Sequence, residues 1–301
     1  MDMNIGKKYI GIISILMASV LWGTTGVAAQ FAPEVSALAI GSGAMGIGGL
    51  LQSVIALPCL KNYQGKLYSQ KGWIILGALA VMFYPLAFYG SMRVASITVG
   101  TVVSIGSAPF FSAVLENIMD HFKVTLQWVI GAFMGVSGII LLCFSAQHTL
   151  YSPISFARIS LGILLGLLAG FTYAFYTWVA RHLIHHEIPS KAAMGSIFGV
   201  GGLLLLPVLL ITGGTYLNSW SNLSVGIYMA TIPMFIGYLC FGYGLSFVPT
   251  SMATLITLLE PVIATFLAVI IVGEKFSGFG WLGIGLIFLC LVCISIPNNK
   301  K

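Results

Sequence analysis

Ten runs of twenty or more mostly apolar residues follow one another along the chain, at 9–29, 36–58, 72–92, 96–118, 124–145, 159–181, 191–212, 223–245, 249–272 and 278–297. A helix needs roughly 20 such residues to cross the hydrocarbon core of a bilayer, because each residue adds about 1.5 Å of rise. Inside lipid a backbone must satisfy its own hydrogen bonds, so each run reads as a transmembrane helix. The joints carry breakers and charges: Pro33-Glu34, Lys61 to Lys71, Asp120 to Lys123, His148 to Arg158 and His182 to Lys191. None is long enough to hold a soluble domain. With only 7% charged residues, against about 25% in soluble domains, the chain cannot cover a water-facing surface. The expected fold class is an all-α integral membrane protein with ten transmembrane helices.

Charge placement sets the expected orientation. With the N-terminus inside, the cytoplasmic Lys and Arg are Lys7, Lys8, Lys61, Lys66, Lys71, Lys123, Arg181, Lys191, Lys300 and Lys301, and the outer ones are Arg93, Arg158 and Lys275. This excess predicts a multi-pass protein of the plasma (inner) membrane with both termini cytoplasmic. The formal charge of +6 is scattered over short loops rather than gathered in a patch, which excludes nucleic acid as a partner. Lys7 and Lys8 precede the first run, and Val27-Ala28-Ala29 has the small residues of a signal-peptide cleavage site. The run from Tyr9 to Ala29 is nevertheless long enough to span the bilayer, and a retained helix is expected.

Cofactor chemistry has little support. Cys59, Cys143, Cys240, Cys290 and Cys293 lie within or at the ends of apolar runs. Cys290 and Cys293 have CxxC spacing without a second pair, and all five read as core thiols rather than metal ligands. His185, His186 and Glu187 adjoin one another in a loop and read as solvated. No GxxxxGK[ST] loop occurs, so no ATP hydrolysis through that motif is expected. Neither cofactor nor metal is expected, nor an enzyme, since no convincing nucleophile, metal cluster or acidic motif is present.

The chain repeats itself. Tyr84-Pro-Leu-Ala-Phe-Tyr89-Gly90 matches Tyr238-Leu-Cys-Phe-Gly-Tyr243-Gly244, and Pro109 answers Pro261 with two extra residues in the first copy. Gly11 and Ala18 align with Gly162 and Ala169. The expected units are residues 1–150 and 151–301, five helices each. Five is odd, so the copies face opposite ways across the membrane, a recurring device of secondary transporters.

Ser251-Met-Ala-Thr-Leu-Ile-Thr-Leu-Leu-Glu260-Pro261-Val262, then Gly273-Glu274-Lys275 and Trp281-Leu-Gly-Ile-Gly, resembles the second repeat of EamA-type transporters of the drug/metabolite transporter superfamily. Leu21-Trp22-Gly23-Thr24-Thr25-Gly26 is similar to that family's first helix. The resemblance covers nearly the whole chain and implies ten helices in two inverted halves around a central cavity. It implies no single substrate, since members export amino acids, drugs and other metabolites and some take up choline-like compounds. Two features depart from the family pattern: 36–58 has no basic residue, and the first-repeat counterpart of Gly273-Glu274 reads Asp120-His121.

Candidate residues follow from cost. Of seven acidic residues, only Glu116 and Glu260 fall inside expected spans, where a carboxylate costs about 2.5–3.5 kcal/mol on insertion scales. Glu260 lies halfway along its helix and is placed to bind a substrate ammonium or carry a coupling proton. Glu116, one turn from Asp120, is expected to reach toward the interface. Pro109 and Pro261 each remove a backbone donor and push away the carbonyls of Ile105 and Thr257, which makes them candidate hinges. Trp22, Tyr84, Tyr89, Tyr173, Trp178, Tyr238 and Tyr243 are candidate ring contacts for a substrate, with Tyr84 and Phe88 sharing a face. Gly162/Gly166/Gly170, Gly131/Gly135 and Gly195/Gly199 have the spacing of close helix packing. The expected function is a secondary active or facilitative transporter, working as a monomer or homodimer on a small-molecule substrate. The leading substrate reading is export of amino acids or related compounds, and the alternative is uptake of choline-like cations through an aromatic cage.

Overall fold

A computed structural model describes residues 2–95, 97–121, 123–145, 156–272 and 277–296. Among these residues the chain is predominantly helical and contains no strand. Nine helices are long and apolar enough to cross a bilayer, and a tenth, Leu126–Leu142, is a shorter apolar helix. The helices are α1 (Gly6–Gln30), α2 (Ala37–Asn62), α3 (Lys71–Val94), α4 (Ile97–Asp120), α5 (Leu126–Ser145), α6 (Phe156–His185), α7 (Ser190–Thr212), α8 (Trp220–Gly244), α9 (Thr250–Ile271) and α10 (Gly278–Ser295). The ten expected spans are recovered in order. The Lys61–Lys71 joint is more structured than expected, since Gln64–Ser69 forms a short helix. Residues 148–155 of the His148–Arg158 connection and Gly273-Glu274-Lys275 lie outside the described residues.

Irregular backbone is confined to three helices. Thr24 interrupts α1, where the Thr24 and Thr25 hydroxyls donate back to the carbonyls of Leu21 (2.6 Å) and Trp22 (2.7 Å). In α8, residues Ala230–Gly237 around Pro233 widen into a π-helix. Two side chains from neighbouring helices reach its carbonyls: Trp22 Nε1 donates to Pro233 O at 2.9 Å and Gln52 Nε2 to Met234 O at 3.1 Å. Freed carbonyls in a membrane interior need such partners. In α9 the helix stops at Ile256 and resumes at Leu259. The two expected hinge prolines therefore differ: the helix breaks just before Pro261, whereas α4 runs uninterrupted through Pro109. At the break the Thr257 carbonyl accepts from Glu260 N at 3.0 Å, a three-residue turn in place of the lost helical bond.

Packing follows the glycines. A methyl placed on Gly49 of α2 would lie 2.3 Å from the Phe198 carbonyl oxygen of α7, and one on Gly202 would lie 2.6 Å from the Gly46 carbonyl oxygen. Gly138 of α5 and Gly283 of α10 meet the same way. All three predicted glycine series sit at helix contacts, with Gly162 against Ala95, Gly199 against Ser53 and Gly131 against Ile294. In lipid there is no hydrophobic drive between helices, so close backbone approach supplies the attraction. The contacts also survive exchanging the two halves. α3 packs on α6 as α8 packs on α1, α4 on α6 as α9 on α1, while α2–α7 and α5–α10 map onto themselves.

Candidate functional site

The centre of the bundle is a cage of packed aromatic rings built from five helices. α1 contributes Trp22, α3 Tyr84 and Tyr89, α6 Tyr173 and Tyr176, α8 Tyr238 and Phe241, and α9 Thr257 and Glu260. Trp22 lies 4.7 Å from the Tyr238 ring, 5.1 Å from Phe241 and 6.5 Å from Tyr173, centroid to centroid. Tyr84 lies 5.6 Å from Tyr173 and 5.8 Å from Tyr176, and stacks on Phe88. Phe198 of α7 closes the floor at 4.4 Å from Tyr238. Hydroxyls fix the rings: Tyr176 OH and Tyr238 OH share a hydrogen bond of 2.7 Å, and Tyr173 OH pairs with Thr257 Oγ1 at 3.0 Å. The Trp22 N–H is committed to Pro233, so Trp22 offers a ligand its face rather than a donor.

Glu260 stands at the turn that precedes Pro261, in the first turn of the resumed helix, where a carboxylate suits the positive end of the helix dipole. Protein surrounds it, yet part of its surface stays accessible, as expected of a side chain lining an internal space. It lies within electrostatic reach of Tyr84, Tyr89, Tyr173 and Tyr238. Among the described residues no donor hydrogen-bonds its carboxylate and no Lys, Arg or His forms an ion pair with it. A carboxylate held among tyrosine rings without a counter-charge is suited to an incoming ammonium group or a proton.

The chamber is closed toward the end of the bundle at which α1 begins. Thr250–Leu259 of α9 are buried without exception, as are Ile15, Tyr176 and Phe241. Tyr84, Tyr89 and Glu260 keep accessible surface.

The structure divides the candidate ring residues. Trp22, Tyr84, Tyr89, Tyr173 and Tyr238 gather with Glu260. Tyr243 does not: it is 48% exposed and packs on Phe247 at the outer surface of α8. Trp178 is buried, but near the other end of α6, where its Nε1 donates to Asp120 Oδ2 at 2.9 Å. The repeat that made Tyr89 and Tyr243 equivalent therefore places one inside and one outside, and Gly41 of α2 leaves the space that the Tyr89 ring fills. Sequence reading missed Phe198, Phe241 and Thr257. Phe198 sits in a glycine-rich helix with no periodic marker, whereas Thr257 was signalled by its place four residues before a proline.

A second polar centre lies at the closed end. Glu116 does not reach the interface as expected; it is 1% exposed. It accepts hydrogen bonds from the backbone N–H of Thr250, from Ser251 N at 3.2 Å and from Ser251 Oγ at 2.5 Å, which caps the start of α9 from a different helix. Arg181 Nη1 lies 3.5 Å from Glu116 Oε1. Farther out, Lys66 Nζ meets Glu187 Oε2 at 2.6 Å, and that hydrogen bond and charge hold the Glu187 carboxyl below its usual range. The loop histidines show no metal arrangement: among the described residues no group of three or more His, Cys, Asp or Glu side chains can hold a metal ion.

Comparison with known proteins adds relationships. The model of the EamA-like transporter family matches twice, over residues 9–144 and 160–296. The transporter YwfM of Bacillus subtilis, described as uncharacterized, is 30% identical over 301 residues, covering 98% of this chain and 97% of its own length. The inner membrane transporter YicL of Salmonella typhimurium, likewise described as uncharacterized, is 24% identical with 98% of each chain covered. One solved crystal structure has the same fold, with a TM-score of 0.75 at 17% identity, covering 94% of this chain and 95% of its own.

Proposed function

The chain belongs to the EamA-like transporter family and is a multi-pass membrane transporter, and on that premise we propose that it moves a small amine-bearing metabolite by alternating access to the Glu260 chamber. The observation that carries this reading is the Glu260 carboxylate, enclosed by Tyr84, Tyr89, Tyr173 and Tyr238 and lacking any protein counter-charge among the described residues. An ammonium group there gains a charge-assisted hydrogen bond and faces of negative potential from the rings. Amino acids and related compounds are the leading substrates, and export is the proposed direction, from a plasma (inner) membrane with both termini cytoplasmic. The exchange symmetry of the helix contacts supports two inverted halves that rock around one central site. Glu260 also suits the role of proton carrier, since binding of an ammonium and of a proton are mutually exclusive at one carboxylate.

A second reading is uptake of choline-like quaternary ammonium compounds. It is favoured because, among the described residues, no basic side chain pairs with Glu260, and a choline-like cation, unlike an amino acid, brings no carboxylate in need of a counter-charge. Purified protein in liposomes tests both, by counterflow of labelled amino acids and of labelled choline with and without a pH gradient. Amino-acid counterflow accelerated by the gradient supports the first reading, and counterflow of choline alone the second. Exchange indifferent to the gradient removes proton coupling and leaves a facilitator, and no amine counterflow at all removes both readings.

A further inference from the structure

The closed end of the chamber contains an arrangement that the binding of an amine does not require. Glu116 is a fully buried carboxylate on α4, in the first half of the chain, and its three hydrogen-bond donors are the two backbone N–H groups and one hydroxyl at the start of α9, in the second half. Arg181 of α6 adds a third helix at 3.5 Å. One helical turn further in, Thr254 Oγ1 donates to Ser112 Oγ at 3.2 Å, tying the same two helices again. Beyond Arg181 lies a cavity of about 380 Å³ lined by Trp73, Asp120, Trp178, Arg181, His182 and His185 among others. Among the described residues the buried Arg181 Nε has no hydrogen-bond partner. Glu116 and Arg181 thus stand between the ring cluster around Glu260 and this outer vestibule, where α4, α6 and α9 converge.

This arrangement differs from an ordinary structural ion pair. A buried pair contributes little net stability compared with apolar packing of the same volume, but taking one partner away from the other is strongly destabilising. Glu116 has chosen partners that exist only when the start of α9 is docked, because the backbone N–H groups of Thr250 and Ser251 point at one place in space. Next in the chain toward the chamber comes the break at Thr257 and Leu258, which lets Thr250–Ile256 move as a short rigid piece without straining the helix beyond Glu260. The corresponding places in the other repeat, by the offset that pairs Pro109 with Pro261 and Gly11 with Gly162, are Ala268 and Gln30. Neither carries a charge, so these two places form no equivalent ionic tie.

We propose that Glu116, the α9 start at Thr250-Ser251 and Arg181 form the latch that closes the chamber at the end where α1 begins, and that undocking Thr250–Ile256 from Glu116 joins the chamber to the vestibule. The latch rests on the alternating-access reading above. Glu116 and Arg181 are positioning residues in it: they hold a helix segment and touch no substrate.

Full-length protein in liposomes tests the latch through Thr254→Cys, a fully buried position between Glu116 and Glu260. A membrane-impermeant maleimide is applied from the α1 side, and labelling above that of the parent protein is read without any substrate. Glu116→Gln keeps the shape but leaves one acceptor oxygen where the carboxylate has two, so its NH2 faces a donor of the α9 start, and it is expected to raise the labelling rate about tenfold. Ser251→Ala removes one donor alone and is expected to raise it about threefold, which keeps the test available if the Glu116 variant folds poorly. The charge swap Glu116→Arg with Arg181→Glu restores an ion pair but supplies no acceptor for the α9 N–H groups, so it leaves Thr254→Cys as reactive as Glu116→Gln does. Labelling unchanged in Glu116→Gln and Ser251→Ala, with both proteins monodisperse, overturns the latch, and so does protection restored by the swap. Because labelling needs no substrate, failure of amine counterflow in the unmodified protein sinks the substrate reading without touching this one.

Discussion

Glu260→Gln separates the functional from the structural account of the chamber, because the two predict opposite signs. The wild-type carboxylate has no hydrogen-bond donor and no counter-charge among the described residues, and stands among rings. Such a group is a burden on the folded state; a charge at mid-bilayer costs about 2.5–3.5 kcal/mol on insertion scales. Partial accessibility recovers some of that, so the amide is expected to stabilise the protein by on the order of 1 kcal/mol. Binding moves the other way. Two unit charges about 4 Å apart attract by about 4 kcal/mol at an effective dielectric of about 20, most of it offset by desolvation. A hydrogen bond to a charged group nets about 1.5–3 kcal/mol, or about 10- to 150-fold in affinity. The assay is thermal unfolding of detergent-purified protein with and without titrated amines. The expected result is a higher unfolding temperature for the ligand-free variant and a loss of ligand-induced stabilisation. A variant that unfolds earlier and still binds the amine as tightly as wild type refutes the reasoning, since the carboxylate is then a structural group.

Gly49→Ala places a methyl 2.3 Å from a backbone carbonyl oxygen and is expected to destabilise the α2–α7 contact by about 1–3 kcal/mol, whereas Gly65→Ala, with open space around it, is expected to be neutral or slightly stabilising; melting curves of the two decide. Tyr176→Phe orphans the buried Tyr238 hydroxyl at a cost of about 1–3 kcal/mol, and adding Tyr238→Phe is expected to recover part of it, a non-additivity read by a double-mutant cycle. His121 ends α4 at φ 53°, so His121→Gly is expected to raise stability by about 1 kcal/mol, read as a higher melting temperature. Lys66 holds the Glu187 carboxyl below its usual value, so the pair's contribution is present above that usual value and fades as pH falls through the lowered one; Lys66→Met is expected to move the Glu187 titration upward, as read by carboxyl NMR shifts.

The helices were legible because each had to be apolar over its full length, and that requirement left ten runs with breakers between them. The locations of the α9 break and of Glu260 were also legible, from one proline and the rarity of mid-span charge. What sequence could not supply was facing. Tyr89 and Tyr243 occupy the same place in the two repeats, and only the neighbours, Gly41 beside one and the outer surface beside the other, decide which turns inward. Trp178 shares its helix with the central rings, but it stands about one and a half turns beyond Tyr173, far enough along α6 to bond Asp120 at the closed end. Glu116 was underestimated for a related reason. Its position near a helix end suggests water, while two of its partners are backbone groups 134 and 135 residues away, which carry no side-chain signature.

The seam between α2 and α7 has an evolutionary consequence. Where a Cβ on Gly49 or Gly202 would first meet a carbonyl oxygen, the obstacle is main chain, which cannot shrink when a side chain grows. Compensating substitutions, the ordinary route by which packed surfaces drift, have nothing to act on there. Lineages of this protein are therefore expected to vary freely in their rings and loops while the seam admits little beyond the smallest residues.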